Sequence, residues 1–381
     1  MEVNQFHIKS SSSVSDDFSC LGREPQLILA FGDKEFFSNP ILLNQLKKHF
    51  PNSLIAGCST AGEIAVDRVY EHSCILNAVH FKDSRVKAVS TSIQSMEDSE
   101  AAGQRLGKEL DHQNLKSVLI LGTGVAINGS ALVAGLQASL PSSVGISGGL
   151  AADGGAFTRT WTLGPKGVSD DQLVLIGFYG EKIQISYGTF AGWEPFGPAR
   201  KVTKCDQNIL YELDGTPALD IYKRYLGDYA KELPGSGLLF PFEMLNSERE
   251  KQGIFRTILG VNHTENSITF AGDILPNGYL RLMHASTEKL ISGAENAAQL
   301  AKKNLITSSE KSLAILVSCI GRKLVMGDRV DEEVEAVADT LGKNASITGF
   351  YSNGEISDNN FHGDCRLHNQ TMTITWITEN D

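Results

Sequence analysis

The sequence predicts a mixed α/β (α+β) protein of two related domains, with mixed sheets built from repeated strand–helix–strand–Gly-turn units. Three observations carry that expectation. Short apolar runs alternate with amphipathic stretches from about residue 24 onward. The octet Gly57-Cys58-Ser59-Thr60-Ala61-Gly62-Glu63-Ile64 returns as Gly349-Phe350-Tyr351-Ser352-Asn353-Gly354-Glu355-Ile356, with Gly, Gly, Glu and Ile in register. Each octet is also approached by the same strand–helix–strand order, which favours internal duplication over chance.

The elements follow from local chemistry. Leu27–Phe31 is an apolar strand. Asn39-Pro40 supplies a cap and a first-turn proline for a helix through His49, which Pro51 stops. Ser53–Ala56 is a strand leading into the first octet, and Cys74–Phe81 with Val86–Ile93 reads as a hairpin around Lys82-Asp83-Ser84. A looser third copy lies between the octets. There Val118–Leu121 is a strand, Ser130 caps a helix through Leu140, and Val144–Ser147 leads into Gly148-Gly149-Leu150-Ala151-Ala152-Asp153-Gly154. Gln172–Tyr179 and Lys182–Thr189 read as a second hairpin.

A boundary is expected within 195–206, where Pro195, Gly197 and Pro198 precede a polar stretch. The expected division is a disordered lead-in over 1–23, an N-terminal domain over 24–204 and a C-terminal domain over 205–381. Beyond the boundary, Thr216-Pro217 starts a helix ended by Gly227, and Ser286/Thr287 caps a long helix through Leu290, Ile291, Ala294, Ala298 and Ala301. Leu313–Cys319, Ser346–Thr348 and Thr371–Ile377 are strands, and Asp331–Leu341 is a helix with acids in its first turn and Gly342 past its end.

Charge narrows the function classes. The chain of 381 residues carries 34 Lys and Arg against 45 Asp and Glu, a net charge of −11. No basic cluster suits phosphates, so nucleic acid is not an expected partner. No apolar run is long enough to span a bilayer, and the N-terminus lacks a basic start followed by an apolar stretch. Six cysteines (Cys20, Cys58, Cys74, Cys205, Cys319 and Cys365) are dispersed without a Cys-x-x-Cys pair. That fits reduced thiols and a cytoplasmic setting.

The Gly-rich turns are the candidate ligand site, because ligands in α/β folds lie beyond the carboxyl ends of strands. Gly57, Gly62, Gly149 and Gly354 permit close approach. Cys58, Ser59, Thr60, Tyr351, Ser352 and Asn353 offer polar atoms, with Asp153 in the middle copy. Glu63 and Glu355 can fix an ammonium or pair with an arginine such as Arg322. The competing reading is structural: the glycines make turns, and each Glu caps a nearby backbone amide. An enzyme using Glu63, Glu355 and Cys58 is the alternative from another class. Phosphate-loop, dinucleotide, nucleophile-elbow and His-Glu-x-x-His signatures are all missing, so no catalysis is expected. Among the histidines, His362 and His368 lie six apart without metal-ligand spacing. His284 stands at a strand end just before a helix, where ligands of α/β folds bind.

At the two octets, at Gly148–Asp153, at Asp214-Gly215-Thr216-Pro217-Ala218-Leu219-Asp220-Ile221-Tyr222 and at the tail His368-Asn369-Gln370-Thr371, the chain resembles the FIST (F-box and intracellular signal transduction) family over roughly residues 24–378. The resemblance implies a sensor that binds a small, amino-acid-like ligand. It also implies regulation of a partner histidine kinase or a cyclic-di-GMP signalling protein. In one subgroup it implies b-type haem for nitric oxide sensing. His284 is then the expected iron ligand by position, with His263 next.

Overall fold

The computed structural model describes residues 1–14, 17–303, 311–358 and 365–380. Among them the mixed α/β class holds. Three six-stranded sheets each contain one parallel pair with antiparallel neighbours, and a nine-stranded antiparallel sheet is set beside them.

The three six-stranded sheets have one strand order. The first runs Glu2–Ile8, Cys74–His80, Leu27–Gly32, Leu54–Ser59, Thr162–Gly164, Gly167–Ser169. The second runs Arg85–Ser92, Gln172–Tyr179, Leu115–Gly122, Gly145–Leu150, Gly354–Asp358, Cys365–His368. The third runs Ile183–Phe190, Met372–Glu379, Ser312–Cys319, Ala345–Ser352, Glu63–Ala65, Arg68–Tyr70. The looser third copy is therefore a full repeat. The last two strands of every sheet come from a neighbouring repeat. The first repeat gives its hairpin to the third, the third to the second, and the second to the first.

This exchange overturns both expected hairpins. Cys74–His80 is buried at every residue and pairs on one side with Leu27–Gly32 and on the other with Glu2–Ile8. With both edges filled it cannot pair with Arg85–Ser92, which instead opens the second sheet against Gln172–Tyr179. Ile183–Phe190 likewise opens the third sheet against Met372–Glu379. Residues 2–8 of the expected disordered lead-in are this structural first strand, paired along its whole length. Residues 204 and 205 both lie in the strand Arg200–Asp206.

The inner faces of the three sheets share one core, in which Leu29, Phe31, Leu119, Leu121, Val174, Ile315, Val317 and Phe350 meet. Helices cover the outer faces: Ile41–His49 in the first repeat, Ser99–Glu109 with Gly129–Ser139 in the second, and Thr287–Lys303 with Asp331–Leu341 in the third. Sheets covered on both faces read as continuous apolar runs rather than alternating ones. The helix at 129 is capped by Asn128, whose Oδ1 accepts the amides of Ser130 and Ala131, and not by Ser130. Between Ile183–Phe190 and Thr287–Lys303 the third repeat carries an insertion that forms the nine-stranded sheet and the helix Ala218–Leu226, with a core of its own.

Candidate functional site

The Gly-rich turns meet where the three repeats converge. Gly57, Gly148 and Gly349 lie opposite Ala30, Ile120 and Leu316 of their parallel neighbours. A Cβ on any of them would stand 1.9, 1.9 or 1.8 Å from that neighbour's carbonyl oxygen. Glycine is required by contact between strands rather than by a ligand. Beyond each glycine the chains bond to one another in a ring. Ala61 donates its amide to Tyr351 O at 2.9 Å, Asn353 to Leu150 O at 3.2 Å and Ala152 to Ser59 O at 2.9 Å.

Glu63 and Glu355 lie inside this junction, 1% and 0% exposed. The Glu63 carboxylate accepts Thr60 Oγ1 at 2.5 Å, Ser73 Oγ at 2.7 Å and Ser73 N at 3.2 Å. That of Glu355 accepts Ser352 Oγ at 2.7 Å, Thr371 Oγ1 at 3.0 Å and Thr371 N at 3.2 Å. Burial pushes the two carboxyls up to about 7 and about 8 despite these donors. The structural alternative for the glutamates is the arrangement observed: each ties the exit turn to the start of the return strand.

Ser59 Oγ donates to Ala152 O and accepts the amide of Trp161. Cys58 is sealed in the shared core, which raises its thiol. Burial pushes the Asp153 carboxyl up, but the amides of Thr158, Arg159 and Phe157 outweigh it, and it lies below the usual range. Arg322 pairs with neither octet glutamate. Fully buried, it bonds Glu333 through Nε and Nη2 and donates to Leu290 O and Ala191 O. Glu333 also accepts the hydroxyls of Ser318 and Tyr351. Sequence reading missed Glu333, Ser73 and Thr371. The hairpins after Glu63 and Glu355 differ in length, which hides the equivalence of Ser73 and Thr371.

The junction is closed, and the cavity lies beside it. A cavity of about 360 Å³ is lined by Gly124–Ile127, Leu150, Asn353 and Phe157 on the repeat side, and by Pro234, Gly235, Leu238, Ile258 and Leu259 of the insertion. Of the expected site residues only Asn353 reaches it. Asn353 Nδ2 donates to Gly124 O at 3.2 Å, while its buried Oδ1 has no partner among the described residues.

A haem does not fit the histidine expected to hold it. His284 is exposed, its ring edge-on to Phe196 at 5.7 Å, and among the described residues it lines none of four cavities of about 340, 120, 220 and 360 Å³. His263 is also exposed, beside Lys223 Nζ. His368 does line a cavity, but one of about 120 Å³, well below the volumes that hold organic ligands. His362 lies outside the described residues. Among the described residues no three His, Cys, Asp or Glu side chains group as a metal site, and no helix is long and apolar enough to cross a membrane.

Solved structures that align with this chain end to end include cyanuric acid hydrolases. One, from A. caulinodans, has 8% identity and a TM-score of 0.38 over 100% of this chain and 99% of that one. A second has 10% identity and a TM-score of 0.35 over 99% of both. These hydrolases stand against the expectation that the chain is no enzyme, which is therefore not held. Likeness at this level transfers neither activity nor residue roles. An uncharacterized protein of Methanocaldococcus jannaschii, MJ1623, is 24% identical over 321 residues, 77% of this chain but 59% of that relative. The chain thus spans about three-fifths of that relative's length. The FIST N domain matches residues 26–216 and the FIST C domain residues 218–358, and with both domains in series the chain belongs to the FIST family of signal-transduction modules.

Proposed function

We propose that this protein is a sensor that binds a small, largely apolar molecule in the cavity between the repeat junction and the inserted sheet. Bound state is passed on through the position of that sheet. The observation that carries the reading is the cavity itself. At about 360 Å³ it falls within the range of small-molecule sites, and its walls come from two separately cored parts of the fold. A ligand there has different contacts in any state that moves the insertion, which is the condition for coupling binding to an output. The orphaned Asn353 Oδ1 calls for an N–H donor on the ligand. The output partner in this reading is a histidine kinase or a cyclic-di-GMP protein, and haem has no part in it.

Indole and 1-methylindole form the test pair, since they differ in the N–H. Titration calorimetry on the full chain should give tighter binding of indole. Gly235→Leu, which extends into open space at the cavity wall, should abolish both. Undiminished indole binding by Gly235→Leu would refute the site.

A further inference from the structure

A second cavity, lined by the helix Gly129–Ser139 and by strands of the inserted sheet, carries a different chemistry. Its volume is about 340 Å³, and Val133, Met244, Ile254, Ile274 and Leu367 give it apolar walls. Arg256, at the end of the strand Lys251–Arg256, lines it while only 4% exposed. Its Nε donates to Asp273 O at 2.8 Å, and Nη1 donates to Phe255 O at 3.0 Å and Leu367 O at 3.2 Å. These acceptors are neutral carbonyls, and Nη2 makes no hydrogen bond to any described residue. A buried guanidinium with no carboxylate bonded to it is costly unless a counter-charge arrives from elsewhere.

The neighbours allow for such a charge. Ser130 Oγ accepts the amide of Asp273 at 3.4 Å, which leaves its own proton free to donate into the cavity. A Cβ at Gly272 would come within 3.2 Å of the guanidinium carbon and 2.9 Å of Ser130 Oγ, so glycine keeps the space between the two donors open. Among the described residues the charged side chains on the cavity wall are Arg256, Arg366 and Asp273; the Asp273 carboxylate acts on Arg256 through space without bonding it, and Asn128 Nδ2 donates to that carboxylate at 3.0 Å.

We propose that this cavity binds a small apolar monocarboxylate, its carboxylate on Arg256 Nη2 and Ser130 Oγ and its hydrocarbon part against Val133, Met244 and Ile254. The site shares no lining residue with the cavity assigned above and stands or falls apart from it.

Calorimetric titration of the full chain with hexanoate and with hexan-1-ol tests the assignment. The two have equal tails, and only one carries charge. Hexanoate should bind, and the alcohol should bind at least roughly tenfold more weakly, the worth of a hydrogen bond to a charged group. Arg256→Met should weaken hexanoate by roughly ten- to a hundredfold and leave the alcohol unchanged. Arg256 also ties three carbonyls together, so a second variant keeps the guanidinium in place. Ala134→Phe, at an exposed position of the helix lining the cavity, should block both probes without touching the core. Equal binding of hexanoate and hexanol, no binding of hexanoate, or undiminished binding to Ala134→Phe would overturn the proposal.

Discussion

Glu63 and Glu355 hold the same place in two of the three repeats. Each carboxylate accepts a hydroxyl from three residues earlier, Thr60 or Ser352. Each also accepts the amide and hydroxyl of the residue just before the return strand, Ser73 or Thr371. In the middle repeat the residue six after the conserved-register glycine is Gly154, and Asp153 caps the loop that follows.

These two carboxyls make stability depend on pH. Their folded values of about 7 and about 8 lie above the usual carboxyl range, so the folded protein binds protons more tightly than the unfolded chain. Their contribution is full below about pH 4.5 and is lost as pH rises through 7 and 8. Two groups work the other way at low pH. Glu379 is held down to about 2 by the amides of Lys82, Asp83 and Ser84 against its own desolvation, and burial pushes His368 down to about 4. Chemical denaturation should therefore show stability falling between pH 6.5 and 8.5, and Glu355→Gln should flatten that fall. An unchanged slope in the variant would remove Glu355 as its source.

Arg322 and Glu333 should behave as a unit. Arg322→Met leaves a buried carboxylate uncompensated and should cost about 3–5 kcal/mol. The double variant Arg322→Met/Glu333→Leu should cost clearly less than the sum of the two single changes. A double-mutant cycle by urea denaturation measures the coupling, and additivity would contradict it.

Gly349→Ala should prevent accumulation of folded protein, because its methyl group meets Leu316 O at 1.8 Å across two buried backbones. Gly235→Ala, with nothing within 4 Å, should leave the unfolding midpoint within a degree or two of the parent. Soluble yield and circular dichroism of the two variants read this directly.

Removal of residues 1–9 should destabilise the first repeat, because it strips the edge partner from Cys74–His80. Hydrogen exchange should quicken at 74–80 and stay slow at 172–179, whose two partner strands remain. Equal protection at 74–80 in full-length and truncated protein would contradict a structural role for the N-terminal strand.

The sequence by itself determined the local elements. Asn39-Pro40 and Pro51 bound one helix, Gly227 and Gly342 end two others, and the octets with the stretch 148–154 mark three equivalent turns, because capping and turn chemistry act over a few residues. Tertiary structure decided which strands pair. Alternating runs on either side of Lys82-Asp83-Ser84 look like a hairpin to any local rule, and only the arrival of Glu2–Ile8 at the edge of Cys74–His80 sends Arg85–Ser92 to another sheet. It also decided the fate of the polar octets. A Gly-rich turn beyond a strand opens onto a ligand when it stands alone, but three turns brought together satisfy one another's amides and close. That closure leaves the cavities to residues such as Asn353, Gly235 and Arg256, which share no spacing along the chain.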